Sequence, residues 1–253
     1  MNTTPILYTE EQEKEIQTFI LLNFGESAFT SHELESEYVH TDTALIAPEG
    51  QSRTFVTFGM GARPMNSPTD VRRIELAISA SPAIDPTSNE AFWLAGEITH
   101  LSKFPFREDT WLEAGHTINA SEDFKKHFGY DYFAFWDLEL SFQPTDIEDD
   151  VHFLALVPLY EEEREWIVKN NSIAFMYHLY DVYGDKMFCA DLPREVCIPD
   201  WDEEEQSAQL LMRFLGLNEE TLAALLERME EAEKNGEEIT YEQLGMWVQE
   251  LQE

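Results

Sequence analysis

A chain of 253 residues with 43% apolar and 13% aromatic positions can bury a full core, while 51 Asp and Glu against 16 Lys and Arg leave it at −35 near neutral pH. A field of that sign repels nucleic acid and anionic lipid and speeds encounter with a basic protein, so neither nucleic acid nor membrane is expected as a partner. No run nears the roughly 18 apolar residues of a membrane span, and Met1-Asn-Thr-Thr-Pro has no basic leader region, so a cytoplasmic protein with Cys189 and Cys197 reduced is expected.

Thr9 and Gln12 have capping-box spacing, and Ile16, Phe19 and Ile20 recur at i, i+3, i+4, which predicts a helix over 10–23 closed by Gly25. Tyr38 to Ile46 reads as a strand, and Pro48-Glu49-Gly50 turns it into Arg53 to Met65. There Phe55, Val56 and Phe58 run into Gly59-Met-Gly61 and Arg63-Pro64. The pattern is that of a central buried strand that stops abruptly, with glycine needed where backbone reaches positive φ or presses on another segment. Val71 to Ser79 alternates again, with Ile74, Leu76 and Ile78 on one face, so three strands form a meander.

Thr87 and Glu90 repeat the capping-box spacing and open a predicted helix to about Leu101. Residues 103–120 hold Phe104, Pro105, Phe106, Trp111 and Gly115 without a single period, which reads as an ordered loop pinned by its aromatics. Tyr130 to Leu140 and Val151 to Leu159 are a further strand pair around the acidic loop 146–150. A helix opens at Glu161-Glu162-Glu163, where carboxylates favour the positive end of the helix dipole.

Beyond Pro199 the character changes. Asp202 with Glu205 starts a helix that Gly216 can close; Leu217 and Leu222 flank Asn218 to staple a second, stopped by Asn235-Gly236. Ile239 and Leu244 staple a third, capped by Thr240 and Gln243. Residues 201–253 carry 15 Asp and Glu against 3 Lys and Arg, yet keep apolar side chains at helical spacing, with Trp201, Phe214 and Trp247 as core or docking residues. The expected organisation is a main domain over 1–198 and an acidic helical extension over 199–253.

Chemistry is sparse. Gly59-Met-Gly-Ala-Arg-Pro lacks a third glycine and the Lys-Ser/Thr of a nucleotide loop, no Gly-X-Ser-X-Gly elbow occurs, and the seven histidines show no ligand spacing, so no cofactor, metal or catalytic residue is expected. Asp109 could orient His116 for proton transfer, but a capped turn and a backbone-bonded histidine explain the pair more simply. Asp146, Glu148, Asp149 and Asp150 lack the glycine and terminal Glu of an EF-hand and read as a solvated turn. For a basic protein partner, the candidate contacts are Phe106, Arg107, Asp109 and Trp111 in the aromatic loop, Asp149 and Asp150 in the acidic turn, and Glu203 and Glu204 in the acidic helices.

Four segments in order, Thr54-Phe-Val-Thr-Phe-Gly-Met-Gly-Ala-Arg-Pro-Met65, Ile74-Glu-Leu-Ala-Ile78, Thr110-Trp-Leu-Glu-Ala-Gly-His-Thr-Ile118 and Phe153-Leu-Ala-Leu-Val-Pro-Leu-Tyr-Glu-Glu-Glu163, together resemble the suppressor of fused family in its compact bacterial form, over about residues 30–185. The positions that match the family pattern are Gly59, Met60, Glu75, Trp111, Gly115, His116, Pro158 and Glu162. The resemblance implies an α+β fold, a mixed and largely antiparallel sheet flanked by helices, to which this chain adds the acidic helical extension. It also implies a non-enzymatic protein-binding module. Animal members sequester a transcription factor, compact bacterial members are associated with toxin systems as immunity proteins, and the charge points to a basic, nuclease-type toxin. The animal proteins' large C-terminal lobe has no counterpart in this sequence. A homodimer is left open.

Overall fold

The computed structural model describes residues 4–34, 36–235 and 239–252. Helix α1 (Glu10–Asn23) starts in a complete capping box between Thr9 and Gln12 and buries Gln12, Ile16 and Ile20. Strand β1 (Ser27–Ser31), an edge strand with three exposed positions, precedes β2 (Asp42–Ile46) and β3 (Arg53–Phe58). The predicted strand over 38–46 begins late. Tyr38 takes φ of 64° and Val39 forms an isolated bridge to Ile6, which holds that end of the segment outside the sheet.

A 3-10 turn over Met60–Ala62 and a loop lead into β4 (Arg73–Ala80), completing the predicted antiparallel meander of β2, β3 and β4. Helix α2 (Asn89–Leu101) follows one residue later than its predicted cap. Ser88 supplies the N-cap oxygen to the Ala91 N–H, while the Thr87 hydroxyl turns back to Asp85. The aromatic loop holds a short helix, α3 (Phe104–Arg107), and the short strand β5 (Thr117–Asn119).

Helix α4 (Glu122–Phe128) leads into the predicted pair β6 (Tyr132–Phe142) and β7 (Val151–Leu159), and α5 (Glu161–Lys169) into α6 (Ser172–Tyr183). Strand β1 and helices α4 and α6 are additional to the predicted elements.

The seven strands lie in the order β1-β2-β3-β4-β7-β6-β5, with neighbours antiparallel except β4 and β7, which run parallel. A parallel neighbour requires a crossover, and the segment from α2 through β6 supplies it. On one face Ile74, Leu76, Ile78, Phe133, Phe135 and Leu154 pack against Leu94, Ile98 and Phe124 of α2 and α4. On the other, Ile16 and Ile20 of α1 cover Ala44, Val56 and Phe153, and α5 and α6 cover Val157 and Leu159. The result is a layered helix–sheet–helix packing.

The acidic segment folds as α7 (Glu203–Leu215), α8 (Glu219–Lys234) and α9 (Tyr241–Gln252) around Leu217, Leu222 and Leu225. Asp202 with Glu205 forms the predicted capping box and Gly216 the left-handed stop. Asn218 caps α8 through Thr221, and Thr240 caps α9 through Gln243. The expected stop at Asn235-Gly236 lies partly outside the described residues. Buried Gln206 of α7 accepts the Asn171 N–H and donates to Asn170, which ties the helical segment to the start of α6.

Candidate protein-binding surface

Gly59 and Gly61 sit just past the end of β3. Gly59 has φ of 120°, and a Cβ there would lie 2.1 Å from the His40 carbonyl oxygen; at Gly61 one would lie 2.5 Å from the Tyr8 hydroxyl. Their backbone N–H groups form a small nest, and the group that fills it is a carboxyl of the protein itself. Glu75, wholly buried, accepts from Gly59 at 2.8 Å and Gly61 at 3.0 Å through Oε1, and from Thr57 at 2.7 Å through Oε2. Burial pushes its carboxyl pKa up even though these hydrogen bonds pull it down. Two residues earlier on β4, Arg73 completes the clamp: its Nη1 donates to the carbonyls of Gly61 and Ala62, both at 2.8 Å, and its Nε to Asp149 at 3.2 Å.

The same turn gathers the predicted contact residues of two loops at one end of the sheet. Arg63 stacks over Phe106 at 5.3 Å, Asn66 donates to Asp109, Thr69 donates to Glu113, and Arg72 and Arg73 both reach Asp149. Asp109, exposed, adopts φ of 51°. Arg107, also exposed, pairs with its neighbour Glu108 at 2.9 Å, and Asp150 is exposed at the start of β7. Glu203 and Glu204 stand exposed on the first turn of α7.

The suggested Asp109–His116 dyad does not form. His116 Nε2 lies 3.2 Å from Glu113, while Asp109 takes Asn66, because the left-handed turn at Asp109 aims its carboxylate at the 60–72 loop. The backbone of Gly115 and His116 extends the β5 edge by pairing with Phe135, and Gly115 takes φ of 82°, a left-handed conformation that favours glycine. Trp111 packs edge-on to His116 at 5.6 Å with its indole N–H unpartnered and buried.

Met60 and Pro158 are core residues. Glu162 is exposed, whereas the next residue, Glu163, is buried against Arg194 and accepts the N–H groups of Tyr160 and Cys197. Nothing in the sequence spacing singles out Glu163 over its two acidic neighbours. Its distinction is positional: it stands at the third residue of α5, from which its carboxylate reaches back to the Tyr160 N–H that opens the helix.

A polar cluster on the β1–β2 connection was also invisible to motif reading. Ser36 Oγ lies 2.6 Å from His40 Nδ1, and His40 Nε2 lies 3.1 Å from Asp42. The Ser36 hydroxyl also donates to Glu33 at 2.8 Å, and Glu33 holds the buried Lys103 ammonium at 2.8 Å. These contacts tie Glu33, Ser36, His40 and Asp42 of the connection to one another and to Lys103 of the loop after α2. Among the described residues no His, Cys, Asp and Glu cluster suits a metal ion, the two thiols are free, and no helix is long and apolar enough to cross a membrane.

Comparison with known proteins agrees with this architecture. The fold is similar to that of a chain in a Sufu–Fu complex (TM-score 0.55, 11% identity, 74% of this chain and 90% of that one). It is similar to a suppressor of fused homolog from Neisseria gonorrhoeae FA 1090 (TM-score 0.54, 14% identity, 77% and 100%). It is also similar to Drosophila Suppressor of Fused (TM-score 0.56, 13% identity, 82% and 54%), so it spans about half the length of that chain. A search of curated proteins finds no match. The family profile described as suppressor of fused protein matches residues 37–195, well over half of the sequence, and the chain belongs to the suppressor of fused family.

Proposed function

We propose that the protein is a non-enzymatic cytoplasmic binding module for a basic protein, in the manner of an immunity protein that blocks a nuclease-type toxin by occlusion. The observation that carries this reading is the charge of −35 on a suppressor of fused scaffold. Carboxylates such as Asp150, Glu203 and Glu204 are exposed and steer a positive partner, while apolar anchors supply residence time. Phe106, Arg107, Asp109, Trp111 and Asp149 contribute contacts where the loops meet. Binding a protein is what the Sufu–Fu complex does in a related fold.

The test is co-expression with the products of the neighbouring reading frames, scoring rescue from toxicity, with pull-down at low and high salt. Rescue and a salt-sensitive complex are expected; no rescue and no such partner count against the reading. A second reading, sequestration of a transcription or signalling protein, is favoured by the likeness to Drosophila Suppressor of Fused. It predicts a DNA-binding partner that leaves its DNA when the purified chain is added.

A further inference from the structure

Helix α1 covers its sheet face incompletely. Leu22 at the end of the helix is 78% exposed, and Phe19 stacks on Phe142 at 4.8 Å with both rings half-buried. Half-buried Leu138 and Leu140 of β6 continue the same apolar cluster. Between α1 and the end of β6 runs an open groove of about 710 Å³. Glu11, Glu15, Thr18 and Leu22 line it at i, i+4, i+7 and i+11, a stripe about 17 Å long at 1.5 Å per residue.

The groove is polarised. Its N-terminal half carries Glu10, Glu11 and Glu15 with Lys14 as the cation among them, and its C-terminal half carries Phe19, Leu22 and Phe142. Glu15 is fixed rather than free: it accepts the Thr145 N–H at 2.8 Å and the Thr145 hydroxyl at 2.5 Å, and these bonds hold its carboxyl below the usual range, so it stays charged. An apolar floor with carboxylates along one end is the complement of a helix that presents leucine-type anchors followed by lysine or arginine.

Building on the basic-partner reading, we propose that the groove between α1 and β6 is the docking site for a basic amphipathic helix of that partner. The straight stripe along α1 suits a second helix laid against it, and the charge complementarity sets the direction in which that helix runs.

The test uses the full chain and two fluorescein-labelled peptides of equal length and charge, one of leucine and lysine in amphipathic order and one with each leucine replaced by serine, read by anisotropy. The leucine peptide is expected to bind at least about tenfold more tightly, as an apolar anchor requires. Leu22→Asp should abolish that advantage, although it adds a negative charge that would by itself favour a basic peptide. Val168→Asp, at a position 60% exposed on α5, should leave the advantage intact. Circular dichroism checks that both variants fold. An advantage that survives Leu22→Asp, or one lost equally in Val168→Asp, overturns the assignment of this face while the basic-partner reading stands. If neither peptide binds at low salt, the groove assignment falls, and the basic-partner reading is decided separately by the salt-sensitive pull-down.

Discussion

The side chain of Glu75 accepts a hydrogen bond from the backbone of Gly59 at 2.8 Å, so a strand residue supplies the carboxyl group around which the preceding strand's exit turn is wrapped. Removing that carboxyl leaves the buried N–H groups of Gly59 and Gly61 without an acceptor and takes from the Thr57 hydroxyl the nearer of its two acceptors, the other being the Leu76 carbonyl at 3.4 Å. At roughly 1–3 kcal/mol for each donor left unsatisfied, Glu75→Ala should cost about 3 kcal/mol or more in urea unfolding. Glu75→Gln keeps an acceptor for the two glycines and turns a donor toward the Thr57 hydroxyl, and should cost within about 1 kcal/mol. Equal losses in the two variants would show that the carboxyl group does not organise this turn.

The same residue should leave a signature in the pH dependence of stability. Burial raises the folded-state pKa of Glu75 above its unfolded value, so in the window between the two the folded protein holds the extra proton. Its contribution is fully present below the unfolded carboxylate value, declines as pH rises through the folded value, and is constant above it. With many other carboxylates titrating, the quantity to measure is the unfolding free energy of Glu75→Gln minus that of the unaltered protein. That difference should grow from about pH 4 upward and then level off. A flat difference across the window would mean that Glu75 does not titrate differently in the folded state.

Two glycines offer opposite outcomes for one substitution. Gly59→Ala puts a methyl group 2.1 Å from the His40 carbonyl oxygen at a φ of 120°, and should be lost to the insoluble fraction or destabilised by several kcal/mol. Gly96 lies exposed within α2 with open space around its Cβ position, so Gly96→Ala should gain about 0.5–1 kcal/mol. Thermal unfolding of both variants reads the contrast directly, and a destabilised Gly96→Ala would show that helical propensity does not control that site.

What could be read in advance follows the range of the forces. Capping boxes at Thr9 and Asp202, the turn at Gly50 and the left-handed stop at Gly216 are decided within four residues, and each stands where spacing placed it. Strand β1 escaped because an exposed edge segment, Ser27-Ala-Phe-Thr-Ser31, carries no alternation, and its identity comes from pairing with β2. The crossover that sets β4 beside β7 spans the middle of the chain and has no local signal. Long-range side-chain pairing was likewise hidden. Arg73 next to Asp149, Lys103 next to Glu33 and Asp109 taken by Asn66 instead of His116 all depend on which loops meet at the sheet end.

The most buried ion pair makes the last case. Arg194 meets Glu163 through its two terminal guanidinium nitrogens, Nη2 at 2.8 Å, with side chains 5% and 0% exposed, and stacks over Tyr130, Tyr160 and Tyr183. The pair joins the start of α5 to the chain beyond α6, where Arg194 also donates to the Pro158 carbonyl at 2.7 Å. Arg194→Met strands a buried carboxylate and should cost about 3–5 kcal/mol, and Glu163→Gln, which strands the guanidinium, should be similarly damaging. In the double variant no charge is left behind. Its loss should therefore fall below the sum of the two single losses by at least about 1 kcal/mol, measured by urea unfolding of all four proteins as a double-mutant cycle. Additive losses would mean that the two side chains are energetically independent, and that the bend after α6 is held by the tyrosine stack alone.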